Sequence, residues 1–213
     1  MTEIHPLEVD DRDRPVEQVP PEDVLREWVR HEQSVEDIDE VDLDDRSVEE
    51  LAELLEDPQR LAESVFLERD LAWYRLTLTE AELRGLVVVE GPDGEGWRGV
   101  AGDNDVRSVA ERIASADDVE SLNEDVPKGV TDVRELADGH DFGDETGAFV
   151  VVQESTDDPA YLADRNHRAV AVACHSLLGG GYEAQSAHVG VSPGEESTSL
   201  VGDDRAEDHP ADW

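Results

Sequence analysis

The chain has one cysteine (Cys174), one methionine (Met1) and one lysine (Lys128). A single cysteine excludes an intrachain disulfide. Its place in an apolar helical run reads as a small buried side chain rather than a nucleophile. No apolar run approaches the roughly 18 residues a membrane span requires. The opening Met1-Thr2-Glu3-Ile4-His5-Pro6 lacks the pattern of a secretory signal, so a cytoplasmic location is expected. No Cys/His spacing builds a zinc site, and no metal ligands are assigned. There is no Gly-x-x-x-x-Gly-Lys phosphate loop. Gly91-Pro92-Asp93-Gly94-Glu95-Gly96 carries acids and no lysine, and reads as a turn. Basic patches are missing too. Runs such as Glu36-Asp37-Ile38-Asp39-Glu40 repel a nucleic-acid backbone, so direct DNA binding is disfavoured.

What is present in excess is negative charge: 56 Asp and Glu against 17 Lys and Arg, a formal charge of −39 over 213 residues. Two readings fit this composition. One is a disordered acidic chain. The other is a folded protein adapted to molar salt, the condition of halophilic archaea and their viruses, where a Debye length of about 3 Å screens self-repulsion. Helical and alternating apolar patterns recur through the chain and favour the second.

Residues 1–20, with Pro6, Pro15 and Pro20, read as a disordered acidic tail. Residues 21–70 read as a helical segment. Val24, Leu25, Trp28 and Val29 recur at helical spacing, and Ser47-Val48-Glu49-Glu50 is a capping box. From Trp73 the pattern changes. Trp73-Tyr74-Arg75-Leu76-Thr77-Leu78 alternates as a strand does, Thr79 opens one helical turn, and Leu86 to Val89 is a short strand. Trp97 is expected to anchor the preceding turn to the core. Asp103 or Asn104 then caps a helix carrying Val106, Val109, Ala110 and Ile113. Short helices are expected at Leu122 to Leu136, and a loop at 139–147. Phe149-Val150-Val151-Val152 is a buried strand and Tyr161-Leu162-Ala163 the next. A helix over 167–178 ends at Gly179-Gly180-Gly181, and Ala187 to Val191 is the last strand. Residues 193–213 read as a second acidic tail.

The chemistry concentrates at Asp164-Arg165-Asn166-His167-Arg168. A helix start presents outward-pointing amides with partial positive charge. A His and an Arg in the same turn add donors, a combination suited to a phosphate or another small anion. Each residue also has a plainer role. Arg168 can pair with a nearby acid, His167 can bond local carbonyls, and Asp164 fits a helix N-cap better than a metal ligand. His175 and His188 lie in apolar contexts and read as core or surface residues. His5, His31, His140 and His209 read as solvated.

The order strand, helix, strand hairpin, Asp-x-x-His-Arg corner, helix, final strand resembles the ParB/sulfiredoxin superfamily. The matching pieces are the strand at Trp73, Val106-Arg107-Ser108-Val109-Ala110-Glu111-Arg112-Ile113, Phe149–Val152, Tyr161–Arg168 and Ala187–Val191, about half the chain. The resemblance implies an α+β fold with a small mixed sheet and packed helices over 71–192, beyond the helical segment. It implies binding of a nucleotide (ATP, ADP or CTP, with Mg2+) or another small anionic ligand, with His167 and Arg168 on phosphate oxygens and Asp164 shaping the corner or helping with a metal. Arg165 stands where the family has glycine, and there it either adds a donor or blocks the pocket. Asn166 occupies the place of the sulfiredoxin cysteine, which disfavours that chemistry. Neither the arginine-rich motif of CTP-binding partition proteins nor a basic helix-turn-helix is present. Phosphotransfer or nucleotide hydrolysis would need a base. Asp103, Asp105 and Glu111 are the candidates, because their helix faces the corner in the related fold. The alternatives are a DNA-associated accessory role and a non-catalytic interaction module. In the latter Arg165 fills the old pocket and residues 22–70 hold a protein partner.

The charge reading makes a direct prediction. The far-UV circular dichroism of the chain is helical in about 3 M KCl and collapses toward coil in about 0.1 M KCl, where charges repel over about 10 Å. An equally folded spectrum in both would remove salt adaptation.

Overall fold

Phe149-Val150-Val151-Val152 is apolar at every position, and the computed structural model buries both faces of that strand. It describes residues 14–35, 41–55, 61–89, 96–126, 129–139, 142, 147–155 and 158–192. The elements are β1 (Glu17–Val19), α1 (Pro21–Val35), α2 (Val48–Leu54), α3 (Leu61–Phe66), β2 (Ala72–Leu78), α4 (Glu80–Gly85) and β3 (Val87–Val88). A 3-10 turn at Trp97–Gly99 leads to α5 (Val106–Ala114), α6 (Val119–Asp125), α7 (Val130–Gly139), β4 (Phe149–Gln153), β5 (Tyr161–Leu162), α8 (Asn166–Leu177) and β6 (Gln185–Val191). The six strands form one mixed sheet in the order β1-β2-β6-β4-β5-β3. β4 runs parallel to β6 and β3 parallel to β5, while the other neighbours are antiparallel. The fold class is α+β, as the sequence indicates.

Each face of the sheet carries its own apolar layer. Phe149, Val151, Ala187 and Val189 join α4 to α8 in one cluster, with Val109, Ile113, Val133 and Val170. Val150, Val152, Trp73 and Ala163 join α1 to α3 in the other, with Leu25, Trp28, Leu51 and Phe66. Strand alternation sends successive side chains to opposite faces, so a strand apolar at every position needs cover on both. The helices of 21–70 therefore form the second layer of the sheet. Phe66 stacks on Trp73 at 4.6 Å between centroids with planes 2° apart, and Trp28 meets Phe66 at 6.4 Å. A Cβ at Gly190 would stand 2.9 Å from the Trp73 ring, so β6 accommodates the indole by having no side chain there.

Local signals set several boundaries. Ser47 and Thr79 both open helices with complete capping boxes, through Glu50 and Glu82. Asp105, not Asp103 or Asn104, caps α5. Trp97 is buried, as expected of an anchor. The expected tail over 1–20 is corrected at its end, where Glu17–Val19 pairs with Arg75 to Trp73. Pro15 and Pro20 bracket this strand. Proline is tolerated on a sheet edge, and β1 is an edge. Arg14 secures it by donating to Thr77 O at 3.1 Å and pairing with Glu82. The rest of that tail, the acidic segment from 193, and most of the expected loop at 139–147 lie outside the described residues.

The second layer is pinned to the sheet by a polar contact. Glu27 on α1 accepts from Ala148 N–H at 2.7 Å, from His188 Nε2–H at 3.0 Å and from Arg75 Nη2 at 3.3 Å. The imidazole of His188 is 1% exposed. The His188 hydrogen bond, first among several contacts and against the opposing effect of burial, lowers the Glu27 pKa from 4.5 to about 2. A carboxylate depressed by folding stabilises above its ordinary value and loses that contribution as pH falls toward the folded one. Glu27 should therefore stabilise fully above about pH 4.5 and progressively less down to about pH 2. The melting temperature of Glu27→Gln should lie below wild type at pH 6, with the gap narrowing between pH 4.5 and the acid limit. A gap that widens on acidification would contradict this.

Candidate functional site

β3 lies between β5 and the segment entering α5. Val88 N–H donates to Asn104 O at 3.0 Å, the Asn104 side-chain amide returns to Val88 O at 2.8 Å, and Val106 N–H reaches Leu86 O. At the next residue, Val89 N–H donates to Asn166 Oδ1 at 3.0 Å. The end of β3 thus joins the start of α5 to the start of α8, and these two helices pack against each other. Asn166 spends its carbonyl oxygen on this junction.

The corner itself turns on Arg165. Its backbone is left-handed, with φ 63° and ψ 35°, and it is the N-cap of α8 but offers the first turn no side-chain acceptor. That conformation costs an L-residue about 1–2 kcal/mol and glycine nothing. Asp164 was expected to cap the helix. Instead it sits one residue too early, and its Oδ1 accepts from Arg165 N–H at 2.7 Å. Burial drives the Asp164 carboxyl above the ordinary carboxylate range, against the pull of Arg165 and Arg168. The first turn of α8 holds no acid, and α8 is the only described helix with none at its cap or in its first turn.

His167 and Arg168 leave the helix in different directions. The His167 ring meets Trp97 edge-on at 5.0 Å, and its Nε2 lies 3.2 Å from where a Cβ on Gly129 would stand. Arg168 crosses the ring of Phe149 at 4.7 Å. Its Nη1 donates to Gly147 O at 2.5 Å, and its Nη2 donates to Gln185 Oε1 at 2.7 Å and Phe142 O at 3.4 Å. The expectation that Arg168 reaches a phosphate thus meets a guanidinium engaged with the starts of β4 and β6. Arg165 also turns toward Gly147. Its side chain is 3% exposed, with Nε 3.7 Å from Asp164 Oδ2.

The candidate bases separate. Asp105 accepts from Ser108 N–H at 2.7 Å, and Ser108 Oγ also donates to Asp103 and Asp105 at 3.0 and 3.2 Å. Burial, with Asp103 adding to it, raises the Asp105 carboxyl. Glu111 pairs with Arg107 on the exposed face. Among the described residues no three His, Cys, Asp or Glu side chains gather as a metal site, and no helix is long and apolar enough to cross a membrane. Cys174 is buried, and burial raises its thiol. A groove of about 510 Å3 opens beside the end of α1 between Arg30, Gln33 and Leu43, and no corner residue lines it.

Sequence reasoning missed His31. It was read as solvated, yet it is half-buried, and burial together with Arg165 and Arg168 lowers its pKa. The available signal was its spacing, seven residues from Val24 and four from Glu27 on the stripe α1 buries. Nothing local announced Gly147, Phe142 and Gln185 as the acceptors of Arg168. The chain matches no family model, no curated protein and no solved structure.

Removing the Arg168 guanidinium leaves unpaired acceptors ahead of β4 and at the start of β6. Arg168→Met should lose roughly 2–4 kcal/mol in denaturant unfolding, the range for broken buried charge-assisted bonds. A loss under about 0.5 kcal/mol, the scale of an ordinary surface substitution, would show the side chain to be free for a ligand.

Proposed function

We propose that this chain is a ParB/sulfiredoxin-like protein that binds a phosphate-bearing small molecule, of the nucleotide class, at the start of α8. The observation that carries the reading is the charge at that helix start: Arg165 at the cap, His167 and Arg168 behind it, and no acid in the cap or first turn, the neighbouring Asp164 carboxyl being buried one residue earlier, in a chain with more than three acids per base. Cations at the positive end of a helix dipole repel it, and an anion there reverses the sign. The left-handed backbone at Arg165 supports the resemblance, because it is the conformation glycine serves at that position. Mg2+ enters as the counter-ion of the nucleotide. If the ligand is turned over, Asp105, with its raised carboxyl, is the group best suited to accept a proton.

One observation favours a second reading, the non-catalytic interaction module: Arg165 and Arg168 both turn inward against Gly147. A thermal-shift series in concentrated KCl separates the two, using millimolar ATP, ADP or CTP with Mg2+. A ligand at about 100 times its Kd adds about 2.7 kcal/mol, about 5–10 °C for a chain of this size. His167→Ala should abolish the rise. No rise with any of the three nucleotides would leave the interaction module.

A further inference from the structure

The start of α7 brings an acid to the His167 side of the corner. Gly129 stands just ahead of that helix with φ 64°. Its carbonyl accepts from Val133 N–H at 3.0 Å, and the next amide, Val130 N–H, donates to Asn123 Oδ1 of α6 at 2.8 Å. A Cβ on Gly129 would lie 3.0 Å from Asp132 Oδ2 and 3.2 Å from His167 Nε2. Glycine is therefore needed twice, for the left-handed backbone and for the approach of these two side chains. Asp132 and His167 are both exposed, so the gap between them opens to solvent. Asp132 also has a plainer role, as an acid in the first turn of α7.

That role leaves one consequence unexplained. A phosphate held by His167 meets the carboxylate of Asp132 across the bare face of Gly129, and like charges at that range repel. A divalent cation between them reverses the sign. Mg2+ is held by one or two carboxylates together with substrate phosphates and keeps its other waters, so a single acid suffices without a preformed cage. Among the described residues no such cage is present. We propose that Asp132 recruits the divalent cation of the bound nucleotide, so that the site takes the Mg2+ complex and turns away the metal-free polyphosphate. This rests on the nucleotide reading, and adds to it which form of the ligand binds and which residue selects that form.

The test is equilibrium dialysis of ATP, ADP and CTP in concentrated KCl, with millimolar Mg2+ or with EDTA. Wild type should bind the Mg2+ complex roughly tenfold or more tighter than the free nucleotide, within the usual range of ligand coupling. Asp132→Asn should move the two affinities in opposite directions, weaker with Mg2+ and tighter in EDTA. A merely structural role for Asp132 would move both the same way. Glu135→Gln, an exposed acid on the same helix, should keep the wild-type ratio. In wild type, Mn2+ in place of Mg2+ should broaden the amide NMR signals of Gly129 and Asp132 only when nucleotide is present, which decides the matter even if Asp132→Asn does not fold. Nucleotide bound with no preference for Mg2+, an Asp132→Asn ratio equal to wild type, or Mn2+ broadening that spares Gly129 and Asp132 would overturn this proposal alone. No nucleotide bound in either medium would overturn the nucleotide reading, and this proposal with it.

Discussion

A central strand that is apolar on both faces cannot be covered from one side. β4 is buried at all five positions, and β6 beside it gives Ala187, Val189 and Val191 to one core while His188 meets Glu27 and Gly190 faces Trp73 on the other side. Burying apolar surface contributes about 25 cal/mol per Å2, so an uncovered face would leave Val150, Val152 and Trp73 against water. The helices before β2 are therefore a structural requirement of the sheet. The Phe66–Trp73 stack, the missing side chain at Gly190 and the Glu27–His188 contact are the local means by which that layer is seated.

What could be read from the chain was what depends on neighbours in sequence. The Phe149–Val152 run, the capping boxes at Ser47 and Thr79, the triple glycine after α8 and the alternation at Trp73 each declare themselves within a few residues. What could not be read depends on partners far away. β1 is a strand because β2 offers it an edge, and Glu17-Gln18-Val19 between two prolines carries no strand signal alone. Arg168 looks like a free first-turn cation because its acceptors lie 17 to 26 residues away on either side. Asp164 has the residue type of a cap but misses the register by one, because the left-handed residue falls at Arg165.

At that residue the local rules conflict. Arg165 takes a conformation glycine would adopt freely, places a cation at the positive end of a helix, and buries two guanidinium nitrogens without hydrogen-bond acceptors. Each choice opposes stability, and glycine would relieve all three. Sequences are otherwise consistent across levels, and conflicts of this kind gather at sites kept for a reason other than folding. Among the described residues, the corner is where a left-handed backbone, a cation at a helix start and a buried guanidinium fall on one side chain.

The corner is also coupled to the second layer through two consecutive residues. Ala148 N–H is held by Glu27 of α1, and Gly147, one residue earlier, is the backbone that Arg168 bonds and whose open Cβ position Arg165 occupies. His31, one turn beyond Glu27, lies in the field of both guanidiniums. A shift of α1 therefore pulls on Ala148 and reaches the two arginines within one peptide unit. The helices of 21–70 and the corner at 164–168 are separated by about ninety residues of sequence, yet they meet across a single turn of backbone. The two guanidiniums of the corner are thus in electrostatic contact with the layer that covers the back of the sheet.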